Sequence, residues 1–600
     1  MVGLHSWRGP LYINVTAFAK NELVTRCIEY YSTDHDSHRR CSLIPLSQHV
    51  STTVSLEAHS KMARQWLNYC LQHHDVHLCP ANTHQRLPTR VICVGSPGSS
   101  PFLHEPCNGE RGCWVALSYR WGRQNSSTTL KNLREKKEGF DLEQLPKTIR
   151  DAVVVTRGLG VQYLWVDAIC IVQNEETPWI WKREAAEMCS VYENALLTIA
   201  AIDNEHSDTG LSSIDPRRQA VQLDLKSSYI PAMSIFARQS HALGYYGFMS
   251  SGRQNIHHSY GFGDSALGLL DNRGWTLQEI TLSPRILWFS TCELGFSCPA
   301  GRVCECQREF NHSKVPIKKS FNHVRRNHPE LHVQTLVDSV PRRPTIHDPE
   351  LQGGSSQTWM IHWLDIVEDF TARNLTRATD RLPALHGLIT AIQKRIGGEC
   401  VAGLWVSDLP RQLLWHAADV GRVPVDMNAC YPEYAPSWSW ASVLRAITWT
   451  EHTEREMAWT IVSSHFTASD NYVLGSGTGS IIIRGYVLPA LVEGLILYSR
   501  DKIDVFARYD TQVKLDGRAD CYLWDHLKKK VLFIMVAELA RVEHDTGTNT
   551  WTKYTATALL LEPVSQMAET FRRLGLVDHV DLGNWGAWRP SLLERTITLT

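Results

Sequence analysis

From Cys113 onward the chain settles into a regular succession of short apolar runs and amphipathic stretches. CWVALSY (Cys113 to Tyr119) is compact, apolar and rich in aromatic and β-compatible side chains, and the polar RWGRQNSS ends it, which predicts a strand followed by a loop. LPKTIRDAVVVTRGLG then sets Ile149, Val153, Thr156 and Leu159 near helical spacing. Pro146 suits a first helical turn, and Gly158 and Gly160 make the stop. YLWVDAICI (Tyr163 to Ile171) reads as the next strand, WKREAAEMCSVYENA as the next helix and ALLTIAA (Ala195 to Ala201) as a third strand. Strands alternating with helices over so short a span predict an α/β fold with a parallel sheet, because parallel neighbours need crossover connections.

The flanks are less regular. ARQWLNYC (Ala63 to Cys70) reads as helix and LPTRVICVG (Leu87 to Gly95) as a short strand, whereas residues 1–60 give only weak signals. Residues of about 204–270 are rich in Ser, Gly and His and read as a loop insertion. NRGWTLQEITLSPRILWFS (Asn272 to Ser290) restores order as a short helix, a break at Pro284 and a strand. The organisation expected is an N-terminal region at 1–60, a helix and strand at 61–110, the α/β domain at 111–310, a basic His-rich linker at 311–358, a helical region at 359–445 and a β-rich C-terminal domain at 446–600. TDRLPALHGLITAIQKRI and LPRQLLWHA are the helical signals there, and GSIIIRGYVLPALVEGLILY, KKVLFIMVAELARVE and WTKYTATALLLEPV the strand signals.

Composition narrows the function classes. With 600 residues and 43% hydrophobic content the chain can bury several cores. Its 61 basic and 62 acidic residues leave no global field to recruit nucleic acid or an anionic membrane. The opening residues lack a basic head and sustained apolar core, and YVLPALVEGLILY, the most membrane-like run, carries Pro489 and Glu493 and falls short of the ~18 apolar residues of a spanning helix. Sixteen cysteines without dense regular spacing suit reduced thiols. A cytoplasmic protein without a membrane span is the expectation.

Burying an unpaired carboxylate is expensive, so Asp167 inside YLWVDAICI calls for an explanation. Ligands of an open parallel sheet bind beyond the C-terminal strand ends, where Ser118, Tyr119 and Arg120 end one strand and Asp167 lies late in the next. Asp167 is tolerable if its strand stops near it and the carboxylate faces a polar crevice or Arg120; a structural ion pair or loop cap is an equal reading. On the following helix Trp181, Ala185, Met188, Cys189, Tyr192 and Ala195 form an apolar stripe, with Glu184 on its border and Glu187 pointing to solvent. Glu184 can reach the crevice, although a first-turn glutamate favoured by the helix dipole is the commoner role. No G-x-S-x-G turn makes Ser118 a nucleophile, and no G-x-G-x-x-G loop is present to hold a dinucleotide as a cofactor. CLQHHDVHLC (Cys70, His73, His74, His77, Cys79) and CELGFSCPAGRVCEC (Cys292, Cys298, Cys304, Cys306) both lack paired C-x-x-C knuckles. They read as loop histidines and core thiols, with no metal expected.

VALSYRWG, LPKTIRDAVVVTRGLGVQYLWVDAICIVQN, REAAEMCSVYENALLTIAA and GWTLQEITLSPRIL, in this order and at these separations, resemble the fungal heterokaryon-incompatibility (HET) domain family. The resemblance covers about 112–290, and the segments WLNYCLQHHDVHLCPANTHQRLPTRVICV, TDRLPALHGLI, AGLWVSDLPRQLLW and APSWSWAS outside it also look like HET proteins. Arg120 departs from the family pattern, which most often has cysteine there, so no thiol role carries over to that position. The resemblance implies non-self recognition that triggers programmed cell death when incompatible fungal cells fuse. It also implies a flavodoxin/TIR-like parallel sheet, since HET domains are distantly similar to Toll/interleukin-receptor (TIR) domains. Some TIR domains cleave NAD with a glutamate shortly after a tryptophan, an arrangement that Trp181 and Glu184 in WKRE look like. NAD would then be a substrate, with Glu184 and Asp167 catalytic and Ser118, Tyr119, Arg120 and Trp181 binding the ligand. The other reading is a non-catalytic module that signals through a protein partner or self-association, with VALSYRWG and the 272–290 segment as contact surfaces; the sequence leaves both open.

Overall fold

The computed structural model describes residues 2–5, 11–19, 22–34, 44, 46–50, 55–122, 126–173, 178–204, 206–211, 219–225, 233–239, 269–270, 272–291, 293–306, 355–417, 435–449, 456–468, 477–493, 496–499, 512–515, 532–545, 550–564, 569–583 and 594–600. The chain divides into two compact units, Met1–Gly354 and Ser355–Thr600. Most of the expected linker, and the greater part of the 204–270 insertion, lie outside the described residues.

The first unit is built on an eight-stranded sheet. In chain order its elements are helix α1 (Leu56–His73), strands β1 (Val91–Cys93), β2 (Phe102–His104) and β3 (Trp114–Ser118), helix α2 (Lys147–Leu159), strand β4 (Tyr163–Trp165), the one-turn helix α3 (Asp167–Cys170), helix α4 (Pro178–Asn194), strand β5 (Leu197–Ala201), helix α5 (Gly274–Leu282), and strands β6 (Ile286–Phe289), β7 (Leu294–Cys298) and β8 (Gly301–Cys304). The spatial order is β8-β7-β6-β5-β3-β4-β1-β2. β4, β3, β5 and β6 run parallel, with Ala116 opposite Trp165, Ser118 opposite Ala200 and Thr198 opposite Ile286. Both edges turn antiparallel through β1–β2 and β7–β8, so the all-parallel sheet of the sequence reading is corrected to a mixed one. For β1–β2, β6–β7 and β7–β8 the physical reason is local, since no helix lies between the strands and a short connection can only reverse direction; β1 also runs antiparallel to β4, across a longer connection. β3, β5 and β6 are buried at every position, as strands covered on both faces should be.

The helices follow their apolar stripes. α2 starts after Pro146 and ends on Gly160, whose φ of 77° is the left-handed conformation glycine adopts without cost. α1 packs on α2, and α4 on α5. On α4, Met188 and Tyr192 are buried while Glu187 is exposed, as the stripe requires. One strand is shorter than the sequence suggests. YLWVDAICI stops pairing at Trp165 and turns into α3 at Asp167, where the carboxylate Oδ1 accepts the Ala168 N–H at 2.7 Å. An acid in a first helical turn favours helix over strand at that point.

Residues 1–60 were quiet in the sequence reading, yet Val2–His5, Leu11–Ala19 and Glu22–Tyr31 form an antiparallel meander extended by Met233–Gln239 and Val221–Leu225. Arg238 is buried there, paired with Glu29 and lying 4.4 Å over the Tyr31 ring.

The second unit contains helices Ser356–Thr371 and His386–Ile396 and a ten-stranded, mostly antiparallel sheet whose longest strands are Leu532–Asp545, Thr550–Pro563 and Thr570–Gly583. Trp363, Trp405, Trp415, Trp438 and Trp440 are fully buried, and the Gly403 carbonyl accepts indole N–H groups from Trp363 and Trp440, each at 3.0 Å. LPRQLLWHA is helical only over Leu409–Gln412; Trp415–Ala417 pairs with Ile447–Trp449 as strand instead. Among the described residues no helix is long and apolar enough to cross a membrane.

Candidate functional site

β3 connects to β4 on one side, and the chain then crosses back to β5 on the other. The C-terminal ends of β3 and β5 therefore flank the point where the winding reverses, which is where the loops of an open sheet part to leave a crevice. Ser118 closes β3 there, only 1% exposed, and its hydroxyl donates to Glu279 Oε2 at 2.5 Å. Glu279 lies on α5, a helix buried at every position but Trp275, and is 6% exposed.

Asp167 sits at the same rim, partly open to solvent. Trp121 Nε1 donates to its Oδ2 at 2.8 Å, and the Tyr119 hydroxyl faces the same carboxylate. The guanidinium bearing on Asp167 is Arg273, whose Nη1 also donates to the Tyr119 carbonyl at 2.7 Å. Arg120 does not take that place: it is half-exposed and makes no hydrogen bond or ion pair among the described residues. The loop after β3 returns to brace α3, with Thr128 N–H donating to the Ala168 carbonyl at 3.0 Å and Thr128 Oγ1 to that of Ile169 at 2.6 Å. Gly122 is required in this loop because a Cβ would run into the Ser207 hydroxyl.

Burial dominates the electrostatics. It pushes the Glu279 carboxyl up to about 7, against the Ser118 hydrogen bond, with the Asp167 charge adding to the rise and Arg273 opposing it. Burial also raises Asp167, and Arg273, Trp121 and the Ala168 N–H hold it back. Tyr119 and Tyr192 are held well above the ordinary phenol value, first by burial and then by these two acids. The site thus couples two carboxyls through Ser118, Tyr119 and Tyr192, one nearly sealed and titrating near neutrality, the other at the rim.

Glu184 is placed differently. Its Oε1 accepts from Arg90 Nη2 at 3.2 Å, both side chains being buried, and Arg90 Nε donates to the Cys170 carbonyl at 2.8 Å. Arg183 approaches the same oxygen at 3.7 Å. Asp167 begins α3 and Cys170 ends it, so Glu184 reaches α3 from its far end, through Arg90. The Trp181 side chain lies outside the described residues. Asp167, Ser118 and Tyr119 thus lie together at this rim, joined by Glu279, which the sequence reading does not name. The signal was present: GWTLQEITL carries one charged residue in an otherwise uncharged run, the same anomaly that marked Asp167.

The thiol clusters also look different in three dimensions. Cys70, His74 and Cys79 from the first meet Cys298 from the second, their ligand atoms all within 4.8 Å of one another. His73 and His77 stay exposed at the surface. Cys304 and Cys306 form a separate buried group with Glu293.

An α/β domain with coupled carboxyls at the reversal point of its sheet is the class these features define. Residues 114–279 match the family described as Heterokaryon incompatibility protein (HET), a span running from the first residue of β3 to Glu279. The chain carries a HET domain, and that domain implies a role in heterokaryon incompatibility. No curated protein and no solved structure matches the chain.

Proposed function

We propose that this HET domain is the death-inducing effector of a fungal incompatibility reaction, and that it acts by cleaving a glycosidic bond such as the nicotinamide–ribose bond of NAD at the Asp167 rim. The observation that carries this reading is the pair of coupled carboxyls, Asp167 and Glu279, beyond the strand ends at the switch point. The parallel strand order β4-β3-β5-β6 supports the flavodoxin/TIR-like assignment, because numbered along the chain it is the 2-1-3-4 order of that class.

In the proposed reaction the bond from C1′ to the pyridinium nitrogen breaks and its electron pair passes to the ring, releasing neutral nicotinamide. The Asp167 carboxylate stabilises the positive charge developing at the ribose. Water then adds at C1′ and gives up a proton to the same carboxylate. Glu279 is a positioning group: kept protonated below about pH 7, it spares Asp167 a neighbouring negative charge. Arg120, half-exposed at the rim, suits the substrate pyrophosphate. NAD is a substrate here and no resident cofactor is involved. The contact surfaces of the rival self-association reading are largely interior: α5 and β6 are buried almost throughout, and so is β3.

Expression of Asp167→Asn and Glu279→Gln forms in a fungal host, scoring viability, NAD and protein level together, tests the proposal. Asp167→Asn should abolish both NAD loss and killing at wild-type abundance. Killing that persists in this variant, or wild-type killing with NAD intact, overturns the glycosidic mechanism.

A further inference from the structure

The geometry points to a structural zinc site formed by Cys70, His74, Cys79 and Cys298, independent of the switch-point carboxyls. Cys70 and His74 lie one helical turn apart at the C-terminal end of α1, His74 being the residue that caps it. The turn that follows brings Cys79 back, held by Cys79 N–H donating to the Asp75 carbonyl at 2.8 Å. Its exit is anchored by Asn82, whose Nδ2 reaches the Glu193 and Ala195 carbonyls at 3.1 Å each. Cys298 arrives from the end of β7, far along the chain.

The separations fit a tetrahedral ion. Zinc bonds of ~2.3 Å to sulfur and ~2.0 Å to nitrogen place ligand atoms about 3.5 Å apart for sulfur and nitrogen and about 3.8 Å for two sulfurs. His74 Nδ1 lies 3.7 Å from Cys79 Sγ and 3.4 Å from Cys298 Sγ, and every ligand pair is within 4.8 Å. None of the three cysteines is in a disulfide and all are buried away from solvent. Three soft thiolates and an imidazole select zinc over hard cations.

Charge gives a second, independent argument. Arg285 is fully buried; its Nε donates to Cys70 Sγ at 3.2 Å, its Nη1 to the Leu196 carbonyl at 3.2 Å and its Nη2 to the Cys79 carbonyl at 3.0 Å. Among the described residues no carboxylate pairs with it, an expensive state for a buried guanidinium. Three thiolates around a dication carry one net negative charge, which Arg285 neutralises. On binding, the three thiols release their protons, and the loaded site together with Arg285 is then neutral. The site would pin α1 to β7 at the sheet edge. All four ligands and Arg285 fall outside the 114–279 HET match, so the centre belongs to the surroundings of that domain.

The test is metal content of the purified full chain after desalting, together with the visible spectrum when cobalt(II) replaces zinc. About one zinc per chain is expected, with the intense tetrahedral cobalt bands and a thiolate charge-transfer band. Cys298→Ser and His74→Ala should lose both signals, whereas His73→Ala, His77→Ala and Cys304→Ser should keep them. A wild-type chain that is folded, holds under about a tenth of an equivalent and develops no cobalt spectrum on titration overturns the site. So does zinc retained undiminished by both ligand variants. Should those variants fail to fold, the two wild-type measurements still decide.

Discussion

Replacing Glu279 by glutamine isolates the cost of keeping a carboxyl where this fold keeps it. The side chain is 6% exposed and its carboxyl is pushed up from an ordinary 4.5 to about 7, chiefly by burial. A carboxyl raised in the folded state contributes stability that is fully present below its unfolded value and is lost as pH rises through the folded one. The window is therefore pH 4.5 to 7, and the full interval corresponds to about 3 kcal/mol. Between pH 5 and pH 8 the wild type should lose about 2 to 3 kcal/mol from this group alone, with most of the change complete by pH 7. Glutamine keeps the shape and an acceptor for the Ser118 hydroxyl but has no charge to desolvate. The assay is urea unfolding of wild-type and Glu279→Gln chains across that range. The stability difference should move by about 2 to 3 kcal/mol in the variant's favour from pH 5 to pH 8, with other titrating groups cancelling. A difference flat to within about 0.5 kcal/mol, or moving the opposite way, refutes a neutral buried Glu279.

Two further outcomes follow from the packing. Arg90→Met leaves the buried Glu184 carboxylate with only the more exposed Arg183 at 3.7 Å and should cost about 3 kcal/mol, while the Arg90→Met/Glu184→Leu double variant recovers most of it; a cycle with no coupling would show that the pair at 3.2 Å does not act as a unit. The same experiment matters for function, because a Glu184→Ala chain that fails to kill is informative only at unchanged stability. In the second unit, Gly403→Ala should cost well over 2 kcal/mol, since a φ of 84° is combined with a Cβ 2.6 Å from the Trp440 ring. Gly397→Ala, at a φ of 69° with nothing within 4 Å, should cost only about 1 kcal/mol, and equal losses in thermal unfolding would rule out the close approach.

What could be read in advance depended on whether the determining interaction is local. The succession of β3, α2, β4, α4 and β5 was legible because each element carries its own period, its own stop and a face that must be buried. The paired runs Leu11–Ala19 and Glu22–Tyr31 were legible in principle as a hairpin, with Ala19 opposite Glu22, but no sharp turn signal separates them and they passed as weak. The antiparallel edges were not legible, because a short strand such as Val91–Cys93 looks the same whichever way its neighbour runs.

The site divides along the same line. Asp167 announced itself as a charge in an apolar run, and the structure explains it by ending the strand and supplying Trp121, the Ala168 N–H and Arg273. The motif offered a polar crevice or Arg120; the guanidinium supplied is Arg273, which only the fold brings near. Glu184 looked like a crevice residue on its helix border until Arg90, a residue with no sequence signal of its own, captured it. Cys298 is the clearest case: a motif search requires ligands at short spacing, but this set is completed by a strand edge laid against the end of α1. Spacing along the chain can show that three ligands are near one another. It takes the sheet to show that the fourth is there, and Arg285 to show that the assembled group has its charge accounted for.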